Sequence, residues 1–339
     1  MKTYKVDLDY EASLFDPRYD EGSAASLKVI REFEYVFFLI NQEACHLKNI
    51  KQYDDNYLKH LKSLGFSIPS FAPDEKAFTY WWSHRHEREL EKELNSKLTS
   101  VEIAKERGWG FWQGKIAESV EDVLSHLKTH PNIKHWIIKR PHSFSGIGHY
   151  YFSADQVNVE TLKKILVEKV LLEPVYQRVF DIGTTFIIHN GEIKRQFMVE
   201  NFNSQSGGFK GGAGASNVDK FKKYIQEKYH FSLNELEKIT LEIARVYLNK
   251  GALFNVQIDS FVYQEEGRLK LYPLVEVNYR KTMGLVIQSL ADKYSEAHHV
   301  EWKVLSSKEV TNEMDSWIKV SPEGNHFRSF YKAFLNCPT

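Results

Sequence analysis

Cysteine is nearly missing from this sequence. Only Cys45 and Cys337 occur, far apart, which excludes a disulfide framework and a cysteine-based zinc site. A reducing compartment fits such a chain, and a cytoplasmic location is expected. Net charge is missing too: 45 Lys plus Arg balance 45 Asp plus Glu. Neither nucleic acid nor a membrane surface is then the expected partner. No run of about 18 apolar residues exists, so no membrane-spanning helix is expected. The opening MKTYKVDLDYEASLFD has no apolar h-region, and no signal peptide is expected. Catalytic signatures are also lacking. There is no GxGxxG, no Gly-Lys-Ser/Thr to close a Walker A loop, and no GxSxG to present a nucleophile.

What is present is size and aromatic mass. The 339 residues suffice for two or three packed units, and 18 Tyr with 22 Phe suggest thick cores or stacking pockets. The most informative stretch is Gly251–Gly284, GALFNVQIDSFVYQEEGRLKLYPLVEVNYRKTMG. Two alternating apolar segments flank a turn at Glu265-Glu266-Gly267, which predicts a β-hairpin. Glu276, Asn278 and Arg280 are spaced by two and share one strand face. With Glu266-Gly267 as a two-residue loop, Glu265 lies opposite Arg268. Leu274 then faces Asp259, and Glu276 faces Gln257. Asp259 becomes a same-face diagonal neighbour of Glu276, within reach of one shared ion. Carboxylate, carboxylate, amide and guanidinium on one face of otherwise buried strands predict a magnesium site for nucleotide phosphates.

Upstream, residues 1–75 read as a first α/β unit. EYVFFLI (34–40) is expected to be a buried strand, and Phe66-Ser67-Ile68 another, after a helix closed by Gly65. In WWSHRHERELEKELNSKLTS (81–100), His84 and His86 suggest metal ligands, but the charge density favours a solvated linker or helix face. Asn95-Ser96 caps a helix beginning near Lys97 and ended by Gly108. Trp136–Lys139 is a strand. A Ser/Gly loop, Arg140–Gly148, follows it, and then a second strand, His149–Phe152. Glycines let backbone N–H groups approach phosphate, and Lys139 adds a point charge. Glu173-Pro174-Val175 is an extended connection. Asn190-Gly191 marks a hairpin. Residues 200–216, with five glycines and Lys210, are expected to form a mobile active-site loop. Residues 217–250 are helical, with Ser232 and Glu235 as a capping box. The tail 300–339 is expected to pack a final helix onto the body.

In this order the pieces resemble the ATP-grasp superfamily of carboxylate–amine ligases, over about residues 90–285. The resemblance rests on NSKLTS, IIKRPHSFSGIG, LLEPV, the glycine-rich stretch with Lys210, and the DSFVY and EVNYR strands. It implies an α+β and α/β architecture. A substrate-side α/β unit would occupy 1–80, a small ATP-lid subdomain 90–170, and a C-terminal antiparallel-sheet subdomain with the metal site 171–339. It implies roles as well. Lys97 and Lys139 would contact the α- and β-phosphates. Ser145, Gly146 and Gly148 would cover them. Glu173, Pro174 and Val175 would line the adenine slot, and Asp181 would meet the ribose. Asp259, Glu276 and Asn278 would hold one or two Mg²⁺, with Mn²⁺ an acceptable substitute. Arg280 would neutralise the acyl phosphate or grip the substrate carboxylate, and Lys210 would act from its loop. Where related peptide-forming ligases carry an arginine, this chain has Gly183, and Arg178 is expected to substitute. The activity implied joins a small-molecule or peptide carboxylate to an amine through an acyl phosphate, releasing ADP and phosphate. A phosphotransferase, nucleotide binding without turnover, and a homo-oligomer stay open on these residues.

Overall fold

Three β-sheets organise the computed structural model. It describes residues 1–15, 32–41, 43–48, 53–72, 74–83, 88–142, 148–204, 207–322 and 331–338. The first sheet is parallel and small. It takes β1 (Thr3–Lys5), β2 (His46–Leu47), β3 (Ser70–Phe71) and β4 (Thr79–Tyr80) in the order β3-β2-β1-β4. Helices α1 (Tyr10–Phe15), α2 (Val36–Ile40) and α3 (Asp55–Ser63) accompany it. The expected strand at 34–40 is thus a 3-10 turn running into α2. Val36, Phe37, Phe38 and Leu39 are all buried, and a helix that is apolar all round is a buried one. The expected strand at 66–68 is displaced to Ser70–Phe71.

The second sheet is antiparallel. It consists of β5 (Lys115–Ala117), β6 (His135–Lys139), β7 (His149–Ser153) and β8 (Val170–Pro174), ordered β5-β8-β6-β7. Before it, α4 (Arg88–Leu94) leads into α5 (Lys97–Arg107). Ser96 caps α5 by accepting from Leu98 N–H, and Gly108 closes it in the left-handed region, as the sequence indicates. Within the sheet, α6 (Val120–Thr129) is capped by Ser119, and α7 (Val159–Ile165) by Asn158.

The third sheet has eight strands. They are β9 (Arg178–His189), β10 (Glu192–Asn203), β11 (Phe209–Gly214), β12 (Val256–Glu265), β13 (Arg268–Asn278), β14 (Val300–Ser306), β15 (Ile318–Lys319) and β16 (Tyr331–Asn336). Their order is β13-β12-β9-β10-β11-β14-β16-β15. Asn190-Gly191 and Glu266-Gly267 have positive φ at both positions, as tight primed turns require. Helices α8 (Val218–Tyr229) and α9 (Asn234–Asn249) cover the sheet. The capping box is not formed: the residue before α9 is Leu233, and Ser232 Oγ only reaches Asn234 N–H at 3.5 Å. α10 (Met283–Lys293) packs between β10, β11 and α2, joining the parallel sheet to the large one in a single apolar cluster.

Two expectations fail here for physical reasons. Of the glycine-rich stretch 200–216, the first residues end β10, 205–206 lie outside the described residues, and Phe209–Gly214 is strand β11, in the interior of the sheet and not a mobile loop. A Cβ at Gly211 would stand 2.0 Å from the Trp302 carbonyl oxygen. One at Gly212 would stand 2.2 Å from the Glu200 carbonyl oxygen and 2.4 Å from Ile287. The glycines let three strands and α10 approach closely. Among the described residues the tail, in turn, adds strands β14, β15 and β16 to the sheet and a short 3-10 helix at Asn312–Ser316, but no α-helix.

Candidate active site

The β12–β13 hairpin starts in the expected register. Glu265 pairs with Arg268, and Phe261 with Tyr272. The register then shifts, so that Asp259 pairs with Glu276 and Gln257 with Asn278. Pro273 supplies the reason. It has no N–H for the ladder, and proline inside a strand marks a bulge. Its carbonyl accepts from Ser260 Oγ at 2.6 Å. The two carboxylates are therefore directly opposite rather than diagonal, and closer than the simple hairpin predicts.

Each carboxylate has its own partners. Asp259 Oδ1 accepts from Gln257 Nε2 at 2.7 Å, and its Oδ2 from Asn278 Nδ2 at 2.9 Å. Gln257 is buried, and its Oε1 accepts from Thr185 at 3.1 Å and from Thr282. Burial, with Glu276 opposite, pushes the Asp259 carboxyl upward. Burial alone would raise Glu276 as well. The Lys97 ammonium, 2.5 Å away, outweighs it and holds Glu276 well below the usual carboxylate range.

Lys97 is 6% exposed, because α5 begins there and its N–H donates to the Pro141 carbonyl at 2.9 Å. Lys139 ends β6 and is 5% exposed. It contacts Glu173 at 2.5 Å, and Tyr272 donates to the other Glu173 oxygen at 2.8 Å. The second sheet and the large sheet meet through that contact. Lys139 also lies in the field of Glu276. Arg280 donates to Asn278 Oδ1 at 3.0 Å and pairs with Glu11 of α1. Asn278 thus links Asp259 to Arg280 through one amide.

No protein-family model and no curated protein matches the sequence. Solved structures do match the fold. An N5-carboxyaminoimidazole synthetase from Staphylococcus aureus aligns over 99% of this chain and 93% of its own, at 9% identity and a TM-score of 0.54. An ADP complex of N5-carboxyaminoimidazole ribonucleotide synthetase covers 99% and 92%, at 10% identity and 0.53. A biotin carboxylase from Campylobacter jejuni in a β-γ-ATP complex covers 99% and 87%, at 9% identity and 0.52. The chain has the ATP-grasp fold. At such identities the likeness is one of fold.

On this ATP-grasp frame the remaining expected residues divide. Ser145 and Gly146 lie outside the described residues, as do His84 and His86, while Gly148 stands just before β7. Pro174 ends β8, and the Val175 N–H donates to the His135 carbonyl at 2.9 Å. Asp181 accepts from Arg178 and from Asn203, both at 3.0 Å. Arg178 stacks 4.2 Å above the Phe261 ring. Lys210 does not join the cluster. It pairs with Glu309 at 2.7 Å on β11, three strands from β12, or about 14 Å at ordinary strand spacing.

Sequence reasoning missed three neighbours. Tyr272 was hidden because its partner Glu173 comes from another sheet, which hairpin spacing does not show. Glu11 carries no local signal. His149 follows the glycine loop directly and faces Lys139 across β6–β7. Burial, with Lys139 and Lys97 beside it, pushes its imidazole down to about 4. Among the described residues, no group of three or more His, Cys, Asp or Glu forms a metal cluster. The oxygen set is two carboxylates and one amide.

Proposed function

We propose that this chain is an ATP- and Mg²⁺-dependent ligase that joins a carboxylate to an amine. One observation supports the reading above all. Glu276 touches Lys97, lies in the field of Lys139 from another sheet, and pairs across the strands with Asp259. Two lysines from separate elements and an acidic pair are what a nucleotide's phosphates and their cation need.

The donor set fits magnesium. The oxygens are hard, two are carboxylates, and the burial that raises Asp259 makes a nearby divalent cation favourable. Asp259, Glu276 and Asn278 would hold it, with Asn278 turning its amide so that the oxygen faces the ion. Bound there, Mg²⁺ would offset phosphate charge. The chain's own residues do the rest. Lys97 and Lys139 exchange their carboxylate partners for phosphate oxygens. Glu173, freed of Lys139 and kept by Tyr272, faces the base. Asp181, steadied by Arg178 and Asn203, faces the ribose. A substrate carboxylate oxygen then attacks the γ-phosphorus and ADP leaves. The amine displaces phosphate from the resulting acyl phosphate, and Arg280 offsets its charge. No protein nucleophile is needed.

Calorimetric titration with a non-hydrolysable ATP analogue, with and without Mg²⁺, tests the site. Mg²⁺ should tighten binding about tenfold or more, and Asp259→Asn should remove that gain. Lys139→Ala should weaken binding about tenfold or more, since a hydrogen bond to a charged group contributes about 1.5–3 kcal/mol. Equal affinity in all of these titrations sinks the assignment. Phosphate release that needs both an acid and an amine marks the ligase. Release that needs only a hydroxyl acceptor marks a phosphotransferase.

A further inference from the structure

His149 carries a polar atom that the fold does not use. Its Nδ1 is buried and has no hydrogen-bond partner. A buried polar atom left unpaired is costly and calls for an explanation. The surroundings supply one. The charged groups that act most on the imidazole are Lys139 and Lys97, followed by Glu276 and Arg178. These are the groups assigned above to the phosphates, the cation and the ribose side. The ring sits directly across from Lys139 because β6 and β7 pair there.

The chemistry narrows further. Both lysines are already matched by carboxylates, Lys97 by Glu276 and Lys139 by Glu173. Arg280 is matched by Glu11, yet its Nε is also buried without a partner. The two carboxylates thus each feel one of these side chains, Glu276 that of His149 and Asp259 that of Arg280. A phosphate chain there would present acceptors only, so a donor is what the site must offer. A ring flanked by two ammonium groups stays neutral near pH 7, and a neutral imidazole carries one N–H.

We propose that His149 is a nucleotide-contacting residue that donates from Nδ1–H to a phosphate oxygen. The proposal rests on the nucleotide reading given above. It fixes the tautomer as well as the contact: the proton is on Nδ1, the buried nitrogen.

Imidazole nitrogen NMR of the full-length protein, labelled with ¹⁵N-histidine and titrated with ADP and Mg²⁺, reads both. The His149→Phe spectrum assigns the signal among the 14 histidines. The expected result is a protonated Nδ1 whose resonance moves as ADP binds. By calorimetry, His149→Phe should weaken ADP about tenfold with an unchanged or higher unfolding midpoint. His149→Asn, which returns a donor near the same place, should recover most of that loss. A His149 signal unmoved while the wild type binds ADP overturns the proposal, and so does equal ADP affinity in His149→Phe. If the wild type itself binds no ADP, the nucleotide reading falls and takes this contact with it.

Discussion

Lys281 shows how one side chain at the site ties chemistry to stability. It follows Arg280, and its ammonium lies 5.5 Å over the Trp81 ring. Burial pushes it down to about 8, against a weaker pull from Asp7. The folded chain then releases this proton near pH 8, while the unfolded chain keeps it until about 10.4. Between those values the unfolded state binds more protons, so this residue makes stability rise with pH. Lys281→Met removes the titration. Its unfolding midpoint should exceed the wild type's below pH 8, and the gap should close as pH approaches about 10.4. A gap that stays constant from pH 7 to pH 10 would show that Lys281 is not held down. Other residues of the candidate site were legible from type and spacing: Lys139 ends an apolar strand, and Glu276 and Asn278 share a strand face. Lys97, just after a helix cap, entered only through the resemblance. His149 was not, because an unpaired ring nitrogen is a property of surroundings and leaves no mark in the sequence.

Elements were readable where a local signal decides them. Asn190-Gly191 and Glu266-Gly267 impose their turns through backbone sterics. Ser96 and Gly108 bound α5 by satisfying its end groups. The errors fall where tertiary contact decides. EYVFFLI is short and apolar, a pattern that periodicity cannot assign to helix or strand. Its packing against Trp81 and α10 makes it helical in the fold. Pro273 was a visible signal for the bulge, and without it the carboxylates fall two residues out of register. The five glycines of 200–216 suggest flexibility when read as a string. Three of them, Gly211, Gly212 and Gly214, lie in β11 and are the opposite, places where neighbours leave no room for a side chain. Gly212→Ala should therefore cost about 1–3 kcal/mol. A urea titration measures it, and an unchanged midpoint with an unchanged slope would refute the close-packing account.

At the scale of the whole molecule, the second sheet and the large sheet share a polar hub. Tyr272 of β13 donates to Glu173 of β8 at 2.8 Å and accepts from the Phe111 N–H at 2.6 Å. Glu173 in turn holds Lys139. Tyr272→Phe leaves the packing but strips both bonds, for a cost of about 1–3 kcal/mol. Hydrogen exchange should show where that cost falls. Amides of β6 and β8 should exchange faster, and those of β9 and β10 should not change. Uniform loss of protection would mean that the hub supports the fold as one unit. The bulge at Pro273 has a consequence of another kind. An open sheet of eight strands has two ends, and each is a template on which a second molecule can build. At one end β15 is only two residues long. At the other, β13 is broken by a residue that cannot donate and by a shift in its pairing. The kink that sets Asp259 against Glu276 also denies that edge a straight ladder, and its Leu274 and Val277 N–H groups are already taken by the Trp109 carbonyl and Ser100 Oγ.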